Sequence, residues 1–142
     1  MTSRSILAAL LFAAVIGCGF AEMAFDCHNS TCVACKNTKI FKKQEDLCLH
    51  LTYEAKNKSL DIELDLNDKV IFHKDVSTAV NPGFCTPLAI IARVVWTCLK
   101  FENFINDPTN HVLKGCAHLT GRGFFIPNKI FDITLGCFKI PY

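Results

Sequence analysis

Cysteine and histidine supply most of the reactive side chains in this sequence, and their spacing decides which chemistries are open. Cys32-Val33-Ala34-Cys35 has the two-residue gap of a redox dithiol or of half a zinc site. A thioredoxin-like role requires a βαβ setting, and no helical pattern surrounds the motif. Zinc requires two further ligands; Cys48 and His50 can be nominated, but their spacing matches no familiar knuckle. Cysteines this close bond one another only with distortion, so Cys32 and Cys35 are expected to have distant partners. The five histidines (His28, His50, His73, His111 and His118) form no HExxH cluster. Neither a Gly-x-Ser-x-Gly elbow nor a phosphate loop occurs. Asp61, Glu63 and Asp65 could in principle bind calcium, yet alternating strand carboxylates are usually a solvated face and no loop supplies the remaining oxygens. The expectation is no catalytic motif, no metal and no cofactor.

Cysteine count and leader instead point to a compartment. Arg4 is the only charge before the apolar run Ile6 to Ile16, and small residues follow, as in a secretory signal peptide. Gly19 and Ala21 suit the small pockets of signal peptidase, placing a leader at residues 1–21 with cleavage before Glu22; cleavage after Ala24 is the alternative. The apolar run falls short of the roughly 20 residues that span a bilayer. Pro87 to Phe101 is also too short and carries Arg93, so no transmembrane segment is expected. Cys18 departs with the leader. Its surroundings, Val15-Ile16-Gly17-Cys18, resemble a bacterial lipobox, but eight further cysteines fit a eukaryotic secretory route better. Those eight are Cys27, Cys32, Cys35, Cys48, Cys85, Cys98, Cys116 and Cys137. An even set in an exported chain reads as a disulfide framework, whose connectivity spacing alone leaves open. Asn29-Ser30-Thr31 and Asn57-Lys58-Ser59 are glycosylation acceptors, the second in a polar turn.

The net charge is +2, and loss of Arg4 lowers it by one. Near-neutrality argues against a nucleic-acid partner, which would require a basic stripe. Lys36, Lys39, Lys42 and Lys43 cluster locally and read as a solvated loop face. Residues 22–142 suffice for one domain and not for two.

The elements that position all of this are strands. Leu60-Asp61-Ile62-Glu63-Leu64-Asp65-Leu66 alternates apolar and acidic residues without a break, placing four aliphatic side chains on one sheet face and three carboxylates on the other. Leu47 to Tyr53 alternates likewise, and Glu54 to Ser59 is the turn between them. Val70 to Val76 is the third strand. A three-residue loop, Asn67 to Lys69, would pair Leu66 with Val70 and Leu64 with Phe72, keeping apolar residues on one face. It also sets Glu63 across from His73 and Asp61 unfavourably across from Asp75. Leu88 to Phe101 reads as one long strand or two joined by a bend, in which Arg93 must reach solvent or an acidic partner. Asn103 to Asn110 is a loop by composition. Val112 to Thr120, a break at Gly121-Arg122-Gly123, then Phe124 to Ile126 and Ile130 to Ile140 complete the chain. Short strands separated by turns predict an all-β, disulfide-stapled antiparallel sandwich or barrel-like domain.

Phenylalanine is abundant, with twelve in the chain. Phe72, Phe101, Phe104, Phe124, Phe125 and Phe131 could line a chamber for an apolar ligand, although filling a core is the commoner use of such rings. Phe124-Phe125-Ile126 is the best candidate for an exposed apolar patch, because consecutive apolar residues cannot all point inward from one strand.

Several segments occur in an order that resembles a known family. They are the closely spaced Cys trio, Cys48-Leu49-x-Leu51-x-Tyr53, Lys69-Val70-Ile71-Phe72, Asn81-Pro82-x-x-Cys85, Cys98-Leu99-Lys100-Phe101 and Gly136-Cys137-Phe138-Lys139-Ile140. The chain resembles the small secreted cysteine-rich domain of unknown function found chiefly in insects. That resemblance implies an extracellular module of arthropod source and supplies no catalytic residues. The function expected is non-enzymatic extracellular binding, with a protein or an apolar small molecule as partner. The alternatives are an enzyme with a dispersed active site and a structural component of a matrix or glandular secretion.

Overall fold

The computed structural model describes residues 25–90, 93–123 and 129–142. The leader at 1–21, Cys18 and the Phe124-Phe125-Ile126 patch lie outside the described residues. The rest is two antiparallel sheets and no helix, so the sandwich is the member of the expected pair that forms. The first sheet orders β1 (Asp26–His28), β2 (Thr31–Ile40), β3 (Lys43–Glu54), β4 (Ser59–Leu66) and β5 (Lys69–Ser77) side by side. The second orders β6 (Phe84–Ile90), β7 (Arg93–Asp107), β8 (Val112–Gly123) and β9 (Lys129–Pro141).

Period-two patterning explains the layering. Leu47, Leu49 and Leu51 of β3 and Leu60 and Ile62 of β4 are fully buried. They share one core with Val95, Leu113, Leu119 and Ile140 of the opposite sheet. Each leucine or isoleucine taken from water contributes about 1.5–3 kcal/mol before chain entropy is counted. The two sheets also meet at their margins. The Phe25 N–H donates to the Cys137 carbonyl at 3.1 Å, and the Lys36 ammonium donates to the Thr134 carbonyl at 3.4 Å. On the other margin the Phe72 and Phe84 rings lie 5.0 Å apart.

Each bridge joins residues directly opposite one another on neighbouring strands: Cys27–Cys32, Cys35–Cys48, Cys85–Cys98 and Cys116–Cys137. Cys32 and Cys35 do not bond each other, but the partner of Cys32 is only five residues away rather than distant. Cys32 is buried in the core, whereas Cys35, Cys85 and Cys137 are exposed. Alternation accounts for this, since each of these three faces opposite to its apolar neighbours.

The expected register at the β4–β5 hairpin needs correction. Leu66 pairs with Lys69, not Val70, across a two-residue turn at Asn67-Asp68. Both turn residues have positive φ, 51° and 65°, which Asn and Asp tolerate and which suits the right-handed strand twist. Asn67 is held there by β3: its N–H donates to the Asp46 carbonyl at 2.8 Å, and its side-chain amide donates to Glu45. A bulge at Leu64/Asp65 then restores the expected pairs Leu64–Phe72, Glu63–His73 and Asp61–Asp75.

Leu88 to Phe101 is two strands, the second of the two expected forms, with Ile90 paired to Arg93. Arg93 is exposed and stacks its guanidinium 4.6 Å from the Phe41 ring centroid. Two other boundaries move. The loop expected at Asn103 to Asn110 is strand as far as Asp107, with a bulge between Glu102 and Ile105. Gly121 to Gly123 does not break β8; Gly121 is there because the Phe131 ring occupies the space of a side chain. Lys36, Lys39, Lys42 and Lys43 are exposed as expected, but on strands and a hairpin turn rather than a loop.

Candidate functional site

An apolar hollow opens where β1 passes the ends of β7, β8 and β9. Its volume is about 540 Å³, within the ordinary range for small-ligand pockets. The floor is Phe25, Phe138 and the Cys116–Cys137 bridge, with Ile105 at the wall and Lys114 and Lys139 at the rim. The Phe25 and Phe138 rings meet edge to face at 5.5 Å, fixing the floor. Three local features create the concavity. The β7 bulge sets Asn103 and Phe104 against the single residue Gly115, displacing Ile105 outward. Gly115 has no side chain to fill the gap, and a Cβ there would come within 3.0 Å of Phe138 Cζ. The hydrogen bond that the Phe25 N–H donates to the Cys137 carbonyl holds β1 along the rim.

Ile105 is 52% exposed, an aliphatic side chain displayed on the wall of a hollow rather than scattered on a flat surface. Lys114 and Lys139 stand directly opposite each other on β8 and β9, and neither enters a salt bridge among the described residues. Two ammonium groups thus edge the apolar floor, and the charge of Lys114 also reaches the Asp107 carboxylate.

Of the phenylalanines expected around a ligand chamber, Phe72 and Phe104 are partly buried against the core, and Phe124 and Phe125 lie outside the described residues. Phe101 and Phe131 are buried, and Phe101 packs against Phe104 at 5.9 Å and Phe138 at 5.8 Å. A gap beside Phe72, Phe84 and Leu99 is about 10 Å³, room for one water at most. Phe25, Ile105, Lys114 and Lys139 were not indicated as site residues by sequence. Gly115 within an apolar strand was the available signal, since strand glycines mark bulges and close approaches.

The outward face of the first sheet carries the alternating carboxylates. His73 Nε2 lies 2.5 Å from Asp61 Oδ1, so the imidazole turns diagonally to Asp61 rather than straight across to Glu63. His50 Nε2 lies 3.1 Å from Asp65 Oδ2. Cys48 is locked to Cys35 and offers no thiolate. Asp75 faces Asp61, and the hydrogen bond between their side chains, with burial and their mutual repulsion, raises the Asp75 carboxyl above its ordinary value. A raised carboxyl opposes folding when ionised, and that penalty disappears below the ordinary pKa. Asp75→Asn is therefore expected to raise the melting temperature at pH 7 and to leave it unchanged at about pH 3. Parallel thermal melts at the two pH values test this; equal melting at pH 7 would contradict it.

One arrangement looks like a catalytic relay. His118 accepts or donates at Nδ1 to Thr134 Oγ1, 3.1 Å away, and pairs through Nε2 with Asp132. A hydrogen bond from Lys129 and the charge of His118 hold the Asp132 carboxyl below its ordinary value. The order hydroxyl, imidazole, carboxylate is that of a triad. All three side chains stand on one face of the paired strands β8 and β9, and a triad needs in addition backbone N–H donors for an oxyanion.

A family model described as Domain of unknown function (DUF4773) matches residues 25–142. No curated protein and no solved structure matches the chain.

Proposed function

The chain belongs to the DUF4773 family, and we propose that it is a secreted, non-enzymatic binding module whose hollow takes a small amphipathic molecule with an apolar body and an anionic head. The observation that carries this is the 540 Å³ hollow floored by Phe25 and Phe138 and rimmed by the Lys114–Lys139 pair. Secretion is supported by the leader and by four disulfides, which persist in oxidising compartments. Asn29 and Asn57 are both exposed at hairpin turns, where the secretory pathway could glycosylate them. No helix among the described residues is long and apolar enough to cross a membrane.

Titration with a fluorescent long-chain carboxylate tests the reading. Saturable binding of one probe per chain is expected. Ile105→Asp should weaken it at least about tenfold, the cost of roughly 1.4 kcal/mol. Replacing both Lys114 and Lys139 by Gln should weaken the carboxylate more than the matching neutral alcohol. Ile105 is exposed, so its replacement leaves the core intact. Probe binding that ignores Ile105→Asp, or no saturable binding, would refute the reading and turn attention to a protein partner.

A further inference from the structure

We propose that His50, Glu63 and Asp65 form a site for a divalent cation of the zinc type on the outward face of the first sheet. The β3–β4 register sets His50 directly opposite Glu63, with Asp65 two residues along the same strand face. Their nearest donor atoms, one imidazole nitrogen and one oxygen from each carboxylate, all lie within 4.8 Å of one another. Small side-chain rotations bring such a set onto one ion.

A second observation separates this cluster from an ordinary solvated face. Asp65 Oδ1 is buried and has no hydrogen-bond partner, while Oδ2 of the same carboxylate meets His50 at 3.1 Å. A buried carboxylate oxygen left without a donor is costly, and a cation satisfies it directly. The bulge at Leu64/Asp65 falls at this residue, where bulges commonly re-aim a side chain. The neighbouring pair His73–Asp61 is bonded within itself and does not compete for the ion.

The donor set selects the cation. Two carboxylates neutralise a divalent charge, and the imidazole favours zinc over the hard alkaline earths. Calcium takes about six to eight oxygen ligands, more than this surface offers. Zinc is satisfied by four ligands, so three protein donors leave one position for water. By sequence, Asp61, Glu63 and Asp65 read as a solvated strand face short of further oxygens; the β3–β4 register adds the His50 nitrogen opposite Glu63. The cation site is independent of the apolar hollow.

Zinc chloride added to chelator-treated full chain, followed by calorimetry and thermal melting, tests the site. One equivalent should bind at micromolar affinity or tighter and raise the melting temperature; cobalt(II) in its place should give visible d–d absorption. Asp65→Asn and His50→Gln should each weaken binding at least tenfold, whereas His73→Gln and His118→Gln should leave it unchanged. Glu63→Gln is the substitute should Asp65→Asn fold poorly, with the same expected loss. No saturable one-equivalent binding would overturn the proposal. So would binding that survives the His50 and Asp65 replacements, or follows His73 or His118.

Discussion

Removing the Cys116–Cys137 bridge by replacing both cysteines with alanine is expected to cost about 3–4 kcal/mol of unfolding free energy. The bridge closes the longest loop of the four, with a sequence separation of 21, against 13, 13 and 5 for the others. In the chain-entropy account the loss grows with the logarithm of loop length, so Cys27–Cys32 should cost about 2 kcal/mol. The same double replacement removes part of the hollow's floor, linking stability to binding. Denaturant melts of the two bridge variants, with thiol titration of the intact chain, give the test. The mature protein, which lacks Cys18, should titrate no thiol. Two or more thiols per chain, or a larger loss from the short Cys27–Cys32 loop, would contradict the arrangement.

Gly121→Ala is expected to destabilise the fold by at least the roughly 1–3 kcal/mol typical of overpacking. A Cβ at this position would lie closer than 3.0 Å to three carbons of the Phe131 ring, a distance that real Cβ atoms essentially never show. The ring is buried among the core side chains, so it cannot swing clear without exposing itself or shifting β9. Adding Phe131→Leu to Gly121→Ala should recover part of the loss, even though Phe131→Leu alone removes buried apolar surface. A double-mutant cycle measures that coupling. Additive losses would mean that glycine is needed for some reason other than the ring.

Strand patterning was legible in the sequence because it is local. Leu60 to Leu66 announces β4 by strict alternation, and the pairs Glu63–His73 and Asp61–Asp75 follow once one face must stay apolar. The turn was not legible. Asn67-Asp68 is anchored by Asp46 and Glu45 of β3, residues more than twenty positions away, and the bulge beside Asp65 repairs the register beyond it. The hollow stayed hidden for the same reason. Ile105, Gly115 and Phe25 become neighbours only when β7 bulges and β1 lies against β9, and neither event leaves a periodic trace. The disulfides fall between. Their number and the need for oxidation are read from composition, but the pairing of each cysteine with the next depends on hairpin registers such as Cys35 opposite Cys48.

Native mass spectrometry of the protein secreted from insect cells, after glycan removal, tests the binding account most directly. The account predicts a one-to-one adduct that disappears on denaturation, is restored by adding a long-chain carboxylate, and is lost with Ile105→Asp. A bare chain that takes up no such carboxylate, or an adduct indifferent to Ile105→Asp, would contradict it.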